Sequence, residues 1–294
     1  MRDFSELTII IVTYKTNETI LFNCLNSIKE EINIINVENS SDLSHKNKIE
    51  ERFKNVKVIL SGSNLGYGSA NNIGLKNSRS RYVLVSNPDV TYNDNFFDEL
   101  KYYLDKKIDF SIIGPSYNDQ SNYLPYGSFD GSKNLNTFNE FSLKEVDYVV
   151  GCSMLIDTKS ISTQSYFDEN FFLYFEETDL CKRIKKKGGK IFCSSKLLMS
   201  HLGYQGSIST NPKYEIESEM IRNWHWMWST FYFHKKHKGF SIAMIIVLPK
   251  LISSLIKTIF YQIIFNKEKR NIYYHRLSGL INSILGKDLG IDQQ

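Results

Sequence analysis

Tyr82-Val83-Leu84-Val85-Ser86-Asn87-Pro88-Asp89-Val90 sets a short apolar, β-branched run against a polar turn. The run reads as a buried strand, and Asn87-Pro88-Asp89 as the turn that ends it. Pro88 fixes its own φ and holds Asn87 extended, so the turn is stiff and presents one carboxylate in one place. In open α/β sheets ligands bind beyond the carboxyl ends of the strands, which puts Asp89 where a ligand would sit. A hard divalent cation bridging phosphates needs only one or two protein carboxylates. An ordinary Asn-Pro-Asp turn without a ligand is the plain alternative, and the rest of the chain weighs against it.

Upstream, Leu7–Thr13 is a continuous apolar run, the pattern of a strand buried on both faces. A turn over residues 13–17 leads to a helical spacing of Ile20, Leu21, Cys24, Leu25 and Ile28 from Glu18 on. A second strand is predicted over 32–37, ending at Glu38-Asn39-Ser40-Ser41-Asp42. A short polar helix over 46–53 and a third strand over 56–60 follow. Asn64-Leu65-Gly66-Tyr67-Gly68-Ser69-Ala70-Asn71 resembles a dinucleotide fingerprint, but Asn71 occupies the third glycine position and the stretch follows the third strand, which argues against a nicotinamide cofactor. No GxxxxGK[ST] occurs, so a P-loop is excluded. Strand and helix alternate over 90 residues, which predicts a doubly wound, mostly parallel α/β sheet.

Downstream, a helix is predicted over 94–106. The turn-rich segment 107–147, with Tyr117, Tyr123 and Tyr126, yields no secure element. A strand carrying Gly151 is predicted over 148–156. In Phe175-Glu176-Glu177-Thr178-Asp179-Leu180, acids crowd beside aromatics before a helix that opens near Leu180 and stops at Gly188-Gly189. A helix dipole explains Asp179. It does not explain two adjacent glutamates beneath aromatics, where desolvation would raise a carboxyl toward a general base's range. Strand is predicted over 191–192 and 196–199, then His201 and Leu202-Gly203-Tyr204-Gln205-Gly206-Ser207.

An aromatic helix is predicted over 213–237. Residues 240–265 are strongly apolar, with Lys250, Ser253, Ser254, Lys257 and Tyr261 on one helical face, Lys250 and Lys257 breaking any long uncharged run, and Pro249 interrupting the stretch. Charge is uneven. Residues 222–287 hold eleven Lys/Arg and one acid, Glu268, a net +10, whereas residues 1–221 hold 25 basic and 29 acidic residues. A basic, apolar tail points to a membrane surface or a polyanion; no nucleic-acid partner is expected. Cys24, Cys152, Cys181 and Cys193 form no CxxC or Cys/His pattern and read as reduced thiols of a cytosolic protein. The charged segment after Met1 predicts no signal peptide.

These stretches, in their order over roughly residues 7–207, resemble bacterial family 2 glycosyltransferases of the GT-A fold, and within them the rhamnosyltransferase-like enzymes of surface-polysaccharide assembly. The matching pieces are Ile9–Tyr14, Val37–Ser41, Asn64–Asn71, Ser86–Val90, Phe167-Asp168-Glu169, Phe175–Arg183 and His201. The resemblance implies a catalytic region over 1–210, with a nucleotide-binding half (1–90) and an acceptor half (91–210), and a helical, basic-apolar region over 211–294. It assigns Asp89 to the DxD metal motif, with His201 completing a Mg²⁺ or Mn²⁺ site. Thr13, Tyr14, Glu38, Asn39, Asn64, Gly66, Asn71, Asn87 and Asp89 line the nucleotide. Glu177 is the base, with Glu176 and Asp179 as alternatives. Asn87 replaces the first DxD acid, Glu177 an Asp, and Glu38 an Asp.

The implied reaction is inverting transfer of a sugar, rhamnose among the candidates, from a nucleotide-diphosphate donor to a glycan or lipid-linked glycan acceptor, as in O-antigen or capsule synthesis. It would take place in the cytoplasm at the inner face of the membrane, with the tail lying peripherally on that surface or packing as core or against a second subunit. A sugar nucleotidyltransferase would carry a glycine-rich, Lys/Arg-bearing loop after the first strand, which is missing. A non-catalytic membrane-surface module would leave the Glu176–Asp179 cluster unexplained.

Overall fold

The computed structural model describes residues 4–118, 124–131, 137–161, 166–203 and 212–287, with backbone alone over 212–215. Tyr123 and Tyr204-Gln205-Gly206-Ser207 lie outside the described residues. The chain forms two compact units. One is Met1–Glu169 with Glu176–Ile208; the other is Asn170–Phe175 with Ser209–Gln294. The hexapeptide at 170–175, inside the expected catalytic region, thus clusters with the C-terminal helices.

The first unit begins with β1 (Leu7–Thr13), α1 (Glu18–Asn26), β2 (Asn33–Glu38), α2 (Leu43–Arg52), β3 (Val56–Leu60), α3 (Tyr67–Asn77) and β4 (Tyr82–Ser86). It continues with β5 (Val90–Tyr92), α4 (Phe96–Asp105), β6 (Ile112–Tyr117), β7 (Tyr126–Gly127), β8 (Leu143–Glu145), β9 (Tyr148–Val149), β10 (Ser153–Asp157), α5 (Glu176–Lys186) and β11 (Ile191–His201). The main sheet runs β3-β2-β1-β4-β10-β6-β11-β5, with β8 also on β11. Strands β3, β2, β1 and β4 are parallel, and so are β6 and β11. Strand β10 runs antiparallel between β4 and β6, and β5 antiparallel on β11.

Alternation along β1 explains why it sits in the middle. Ile9 and Ile11 pack in one core layer, Ile10 and Val12 in the layer on the opposite face. Every β1 residue is buried, and full burial of each of its Leu, Ile and Val side chains is worth about 1.5–3 kcal/mol. Helix α3 comes unusually close to this strand. A Cβ at Gly74 would lie 2.5 Å from Ile10 Cγ2, so only glycine fits. Gly74→Ala is expected to destabilise the fold by about 1–3 kcal/mol through overpacking, despite alanine's better helix propensity. Urea unfolding checks it; an unchanged or higher midpoint would show that Ile10 has room to turn away.

The structure corrects several boundaries. The predicted strand over 148–156 is two strands, β9 and β10, broken by a turn at Gly151-Cys152. Strand β6 lies inside the segment that yielded no element. Helix α5 opens at Glu176, four residues before Leu180, so both glutamates stand in its first turn. The two short strands predicted over 191–199 are one strand, whose register shifts between Cys193 and Leu198.

The second unit holds α6 (Pro212–Lys238), α7 (Phe240–Ile263) and α8 (Lys267–Ile284). Met227 and Phe231 of α6, Ala243 and Val247 of α7 and Leu280 of α8 share one buried cluster. Pro249 does not interrupt α7, which is continuous over 24 residues and, despite Lys250 and Lys257, long and apolar enough to cross a membrane.

Candidate active site

The carboxyl ends of β2, β1 and β4 lie side by side, because Thr13 pairs in register with Glu38 and Ile11 with Ser86. At the β2 end, the Glu38 carboxylate is held from both sides: Thr13 Oγ1 donates to Oε2 at 2.6 Å and Ser40 Oγ donates to Oε1 at 2.6 Å. Asn36 Nδ2 in turn donates to Thr13 Oγ1 at 2.9 Å. His45 Nε2 lies 3.1 Å from Asn36 Oδ1 and 3.6 Å from Glu38 Oε2. Asp42 caps α2 by accepting from Ser44 and His45 backbone N–H, which fixes where His45 starts. A cavity of about 410 Å³ opens over this network, bordered by Lys15, Thr16, Glu38, Ser40, His45 and Lys48. Its size lies in the range of small-ligand sites. A second cavity, about 430 Å³, lies at the opposite, amino ends of the strands among Asn33, Lys57 and Arg79; none of the expected site residues borders it. Sequence reading missed Asn36, Ser40 and His45. The signal was present for Asn36: an amide inside the apolar run Ile34-Ile35-Asn36-Val37 has to find a polar partner when buried.

Three expected nucleotide contacts bond to one another. Asn39 Nδ2 donates to Asn64 Oδ1 at 2.9 Å and to Gly66 O at 3.3 Å, and Leu65 N donates to Asn39 Oδ1 at 3.0 Å. Gly66, at φ +81°, opens α3 in the left-handed region that favours glycine. Asn39, Asn64 and Gly66 therefore shape the loop that leads into α3. One turn on, Asn71 is fully buried; Nδ2 donates to Tyr67 O at 3.0 Å, and Oδ1 has no hydrogen-bond partner among the described residues. Its neighbour Asn72, also missed in the sequence, grips the backbone of Phe167 in both directions. Tyr14 is half-buried beyond β1, with Lys15 Nζ 5.3 Å from its ring centroid.

Asp89 follows β4 and precedes β5, and the β5–β11 pairing sets His201 opposite Val90. That register brings His201 Nε2 to 3.3 Å from Asp89 Oδ1. Tyr117 of β6 stacks on the His201 ring, 8° from parallel at 6.2 Å, and orients it. Asn87 is tied by its backbone, N–H donating to Cys152 O at 2.8 Å. Asp89 and His201 offer one carboxylate and one imidazole to a cation. Among the described residues no group of three His, Cys, Asp or Glu side chains gathers as a metal cage. Two donors fit a Mg²⁺ or Mn²⁺ ion that completes its shell from a diphosphate and water.

The Gly151-Cys152 turn joins this strand end to the acids of α5. Cys152 O receives Asn87, Gly151 O accepts from the Tyr67 hydroxyl at 2.7 Å, and a Cβ at Gly151 would lie 3.2 Å from Glu177 Cβ and Cγ. Glu177 is half-buried, and burial raises its carboxyl pKa. Thr178 Oγ1 donates to its Oε1 at 3.2 Å. Glu176 is buried; its Oε2 has no hydrogen-bond partner among the described residues, and burial followed by the neighbouring Glu177 charge pushes its pKa well above the carboxylate range. Asp179 differs from both. Its carboxylate is fully buried and accepts from Arg183 Nε at 2.8 Å, one helical turn away. That ion pair is a fastening of α5. Just before the acids, Tyr174 and Phe175 both have positive φ, 69° and 70°, a strained backbone of the kind that collects at functional loops.

Residues 8–162, more than half of the chain, match the model of "Glycosyl transferase family 2". The chain is similar to a low-salt glycan biosynthesis hexosyltransferase of Haloferax volcanii, 31% identical over 197 residues that cover 62% of each protein; the match thus spans less than two thirds of that relative. It is also similar to an N-acetylglucosaminyl-diphospho-decaprenol L-rhamnosyltransferase of Mycobacterium tuberculosis, 23% identical over 62% of this chain and 71% of that one. A mannosyltransferase from Pyrobaculum calidifontis, solved with GDP-Man and Mn²⁺, superimposes with a TM-score of 0.56 at 9% identity over 96% of this chain and 88% of that one. That likeness shows a GT-A fold with C-terminal helices. On the family match, the chain belongs to glycosyltransferase family 2.

Proposed function

We propose that the chain transfers a sugar, with inversion, from a nucleoside-diphosphate donor to a hydroxyl of a glycan or lipid-linked glycan. The observation that carries this reading is Glu177, a carboxyl of raised pKa seated by the Gly151 turn that also fastens the Asn87–Asp89 strand end. In the transfer, the acceptor oxygen bonds to the sugar's anomeric carbon as the bond to the diphosphate oxygen breaks. Glu177 takes the acceptor's proton, and the nucleoside diphosphate leaves. One displacement needs one base and no covalent nucleophile. Glu38, fixed by Thr13 and Ser40, and the Asn71 amide hold the nucleoside side of the donor. Asp89 and His201 would hold a Mg²⁺ or Mn²⁺ ion, which when bound would supply positive charge toward the leaving diphosphate. The names of the relatives support a hexose or rhamnose as the sugar and, in one case, a lipid diphosphate as the acceptor. The reading extends to surface-polysaccharide assembly at the cytoplasmic face of the membrane.

A panel of nucleotide sugars with Mn²⁺, nucleotide-activated rhamnose first, tests it by release of nucleoside diphosphate. Slow donor hydrolysis is expected with at least one member. Release of pyrophosphate from a nucleoside triphosphate and a sugar phosphate, with no donor hydrolysed, would make the chain a nucleotidyltransferase instead.

A further inference from the structure

We infer that α7 lies flat in the surface of an anionic lipid bilayer, its open apolar face inserted and the cations at both of its ends on headgroup phosphates. The proposal concerns the helical unit alone and does not depend on the reaction above.

The apolar face is wide and uncovered. Ile242, Ile245, Leu248, Ile252, Leu255, Ile256, Ile259, Phe260 and Ile263 are exposed, from 46% at Leu248 to 72% at Ile245. At 100° per residue they fill one arc of about 140° that runs the length of the helix. An uncovered apolar surface of this extent marks an interaction site. Part of the polar stripe packs inside the unit, while Lys250, Ser253 and Lys257 remain exposed along one side of the apolar arc. Ser254 is buried, Lys257 Nζ lies 3.4 Å from the Tyr273 hydroxyl of α8, and Tyr261 stacks on Tyr273 at 5.5 Å. Ser254, Lys257 and Tyr261 thus face α8, and the apolar arc lies on the side of α7 turned away from it.

Charge selects the occupant. Lys235, Lys236 and Lys238 end α6 immediately before α7; Lys267, Lys269 and Arg270 follow immediately after it. No acid occurs in α7, and residues 222–287 carry +10 overall. A second copy would press a net +10 against +10. An anionic bilayer supplies both the apolar phase and the counter-charge that an interfacial helix uses.

Packing excludes a crossing helix. At about 1.5 Å per residue, α7 is long enough to span, but α8 runs beside it from end to end. Arg270 Nη1 donates to Gln262 Oε1 at 2.9 Å at one end, and Leu280 joins Ala243 and Val247 at the other, with Ile284 and Met244 packed on them. Spanning would carry Arg270, His275 and Arg276 into hydrocarbon. Lying in the plane leaves α8 on the aqueous side.

Flotation of the full chain with phosphatidylcholine vesicles, with and without phosphatidylglycerol, tests the proposal. Binding to the phosphatidylglycerol vesicles, weakened by high salt, is expected. Ile252→Glu with Ile259→Glu should cut it by more than about tenfold while leaving the melting temperature and donor hydrolysis in solution unchanged, because both side chains are exposed. The four native cysteines are all buried, so a fluorophore can be placed at Ile245→Cys, Ile256→Cys and Ile263→Cys in separate variants. Equal shallow quenching depths are expected. A depth that changes steadily from 245 to 263 would make α7 a spanning helix and overturn the proposal. So would a chain that ignores anionic vesicles at low salt, or a dimer in solution that the double glutamate variant separates.

Discussion

Glu177→Gln leaves nucleoside-diphosphate affinity within about twofold and lowers turnover by about 10² or more, the usual worth of a positioned base. The amide keeps the shape that packs on Gly151 and can still accept from Thr178, but it cannot take a proton from an acceptor hydroxyl. The pH profile separates this role from a structural one. Burial raises the Glu177 pKa, and only the ionised form is a base, so wild-type turnover climbs with pH through that raised value. The variant's residual rate lacks that limb. Glu176→Gln is the companion measurement. The Glu176 carboxyl, with a folded pKa well above its unfolded one, favours the folded state while protonated. That stability is present in acid and is lost as pH rises through the folded pKa. Glu176→Gln removes the loss, so it should raise the melting temperature at neutral pH and flatten its pH dependence. Asp179→Asn breaks the buried pair with Arg183 and should lower the melting temperature first. Turnover abolished by Asp179→Asn with unchanged melting, together with near-normal turnover in Glu177→Gln, would move the base to Asp179.

What the sequence made legible, and what it hid, follows from the range of the interactions involved. Strand β1 was readable because Leu7–Thr13 is apolar at every position, the mark of burial on two faces, and the folded strand is buried throughout. The Asp89 turn was readable because proline restricts its neighbours locally. Gly151 was not, since apolar residues on both sides of a turn look like one long strand. Only the packing of Glu177 and the hydrogen bonds from Tyr67 and Asn87 reveal the break. The start of α5 was misplaced because Glu176 and Glu177 are helical residues of a first turn, where acids suit the dipole, preceded by an aromatic turn that carries no capping signal. Pro249 misled for the opposite reason. A proline is a strong local breaker, yet helix α7 carries it within an otherwise regular run fastened to α6 and α8. His45 had no signal of its own; it reaches Glu38 only because Asp42 fixes the start of α2 beside β2.

The metal-binding reading rests most directly on Asp89. Asp89→Asn should abolish the Mn²⁺-dependent part of nucleoside-diphosphate binding, a loss of more than about tenfold, while the weaker metal-free affinity measured with a chelator stays the same. Asparagine keeps the size of the side chain and removes the charge, so the comparison isolates the carboxylate. The expectation of a strong effect comes from the small donor set. A site with one carboxylate and one imidazole has no second acid to compensate, because Asn87 stands where the family pattern places the first acid of the motif. His201→Ala should weaken Mn²⁺-dependent binding by a smaller factor, since a neutral imidazole contributes less to holding a divalent cation than a carboxylate does. Tyr117→Ala, which removes the ring stacked on His201, should follow His201→Ala in direction without matching it, because the imidazole remains but is no longer held. Calorimetry with a nucleoside diphosphate, with Mn²⁺ and with chelator, reads all three variants. Equal Mn²⁺ dependence in wild type and Asp89→Asn would remove the cation from this strand end. Charge compensation for the diphosphate would then have to come from Lys15 and Lys48, the cations that border the neighbouring cavity.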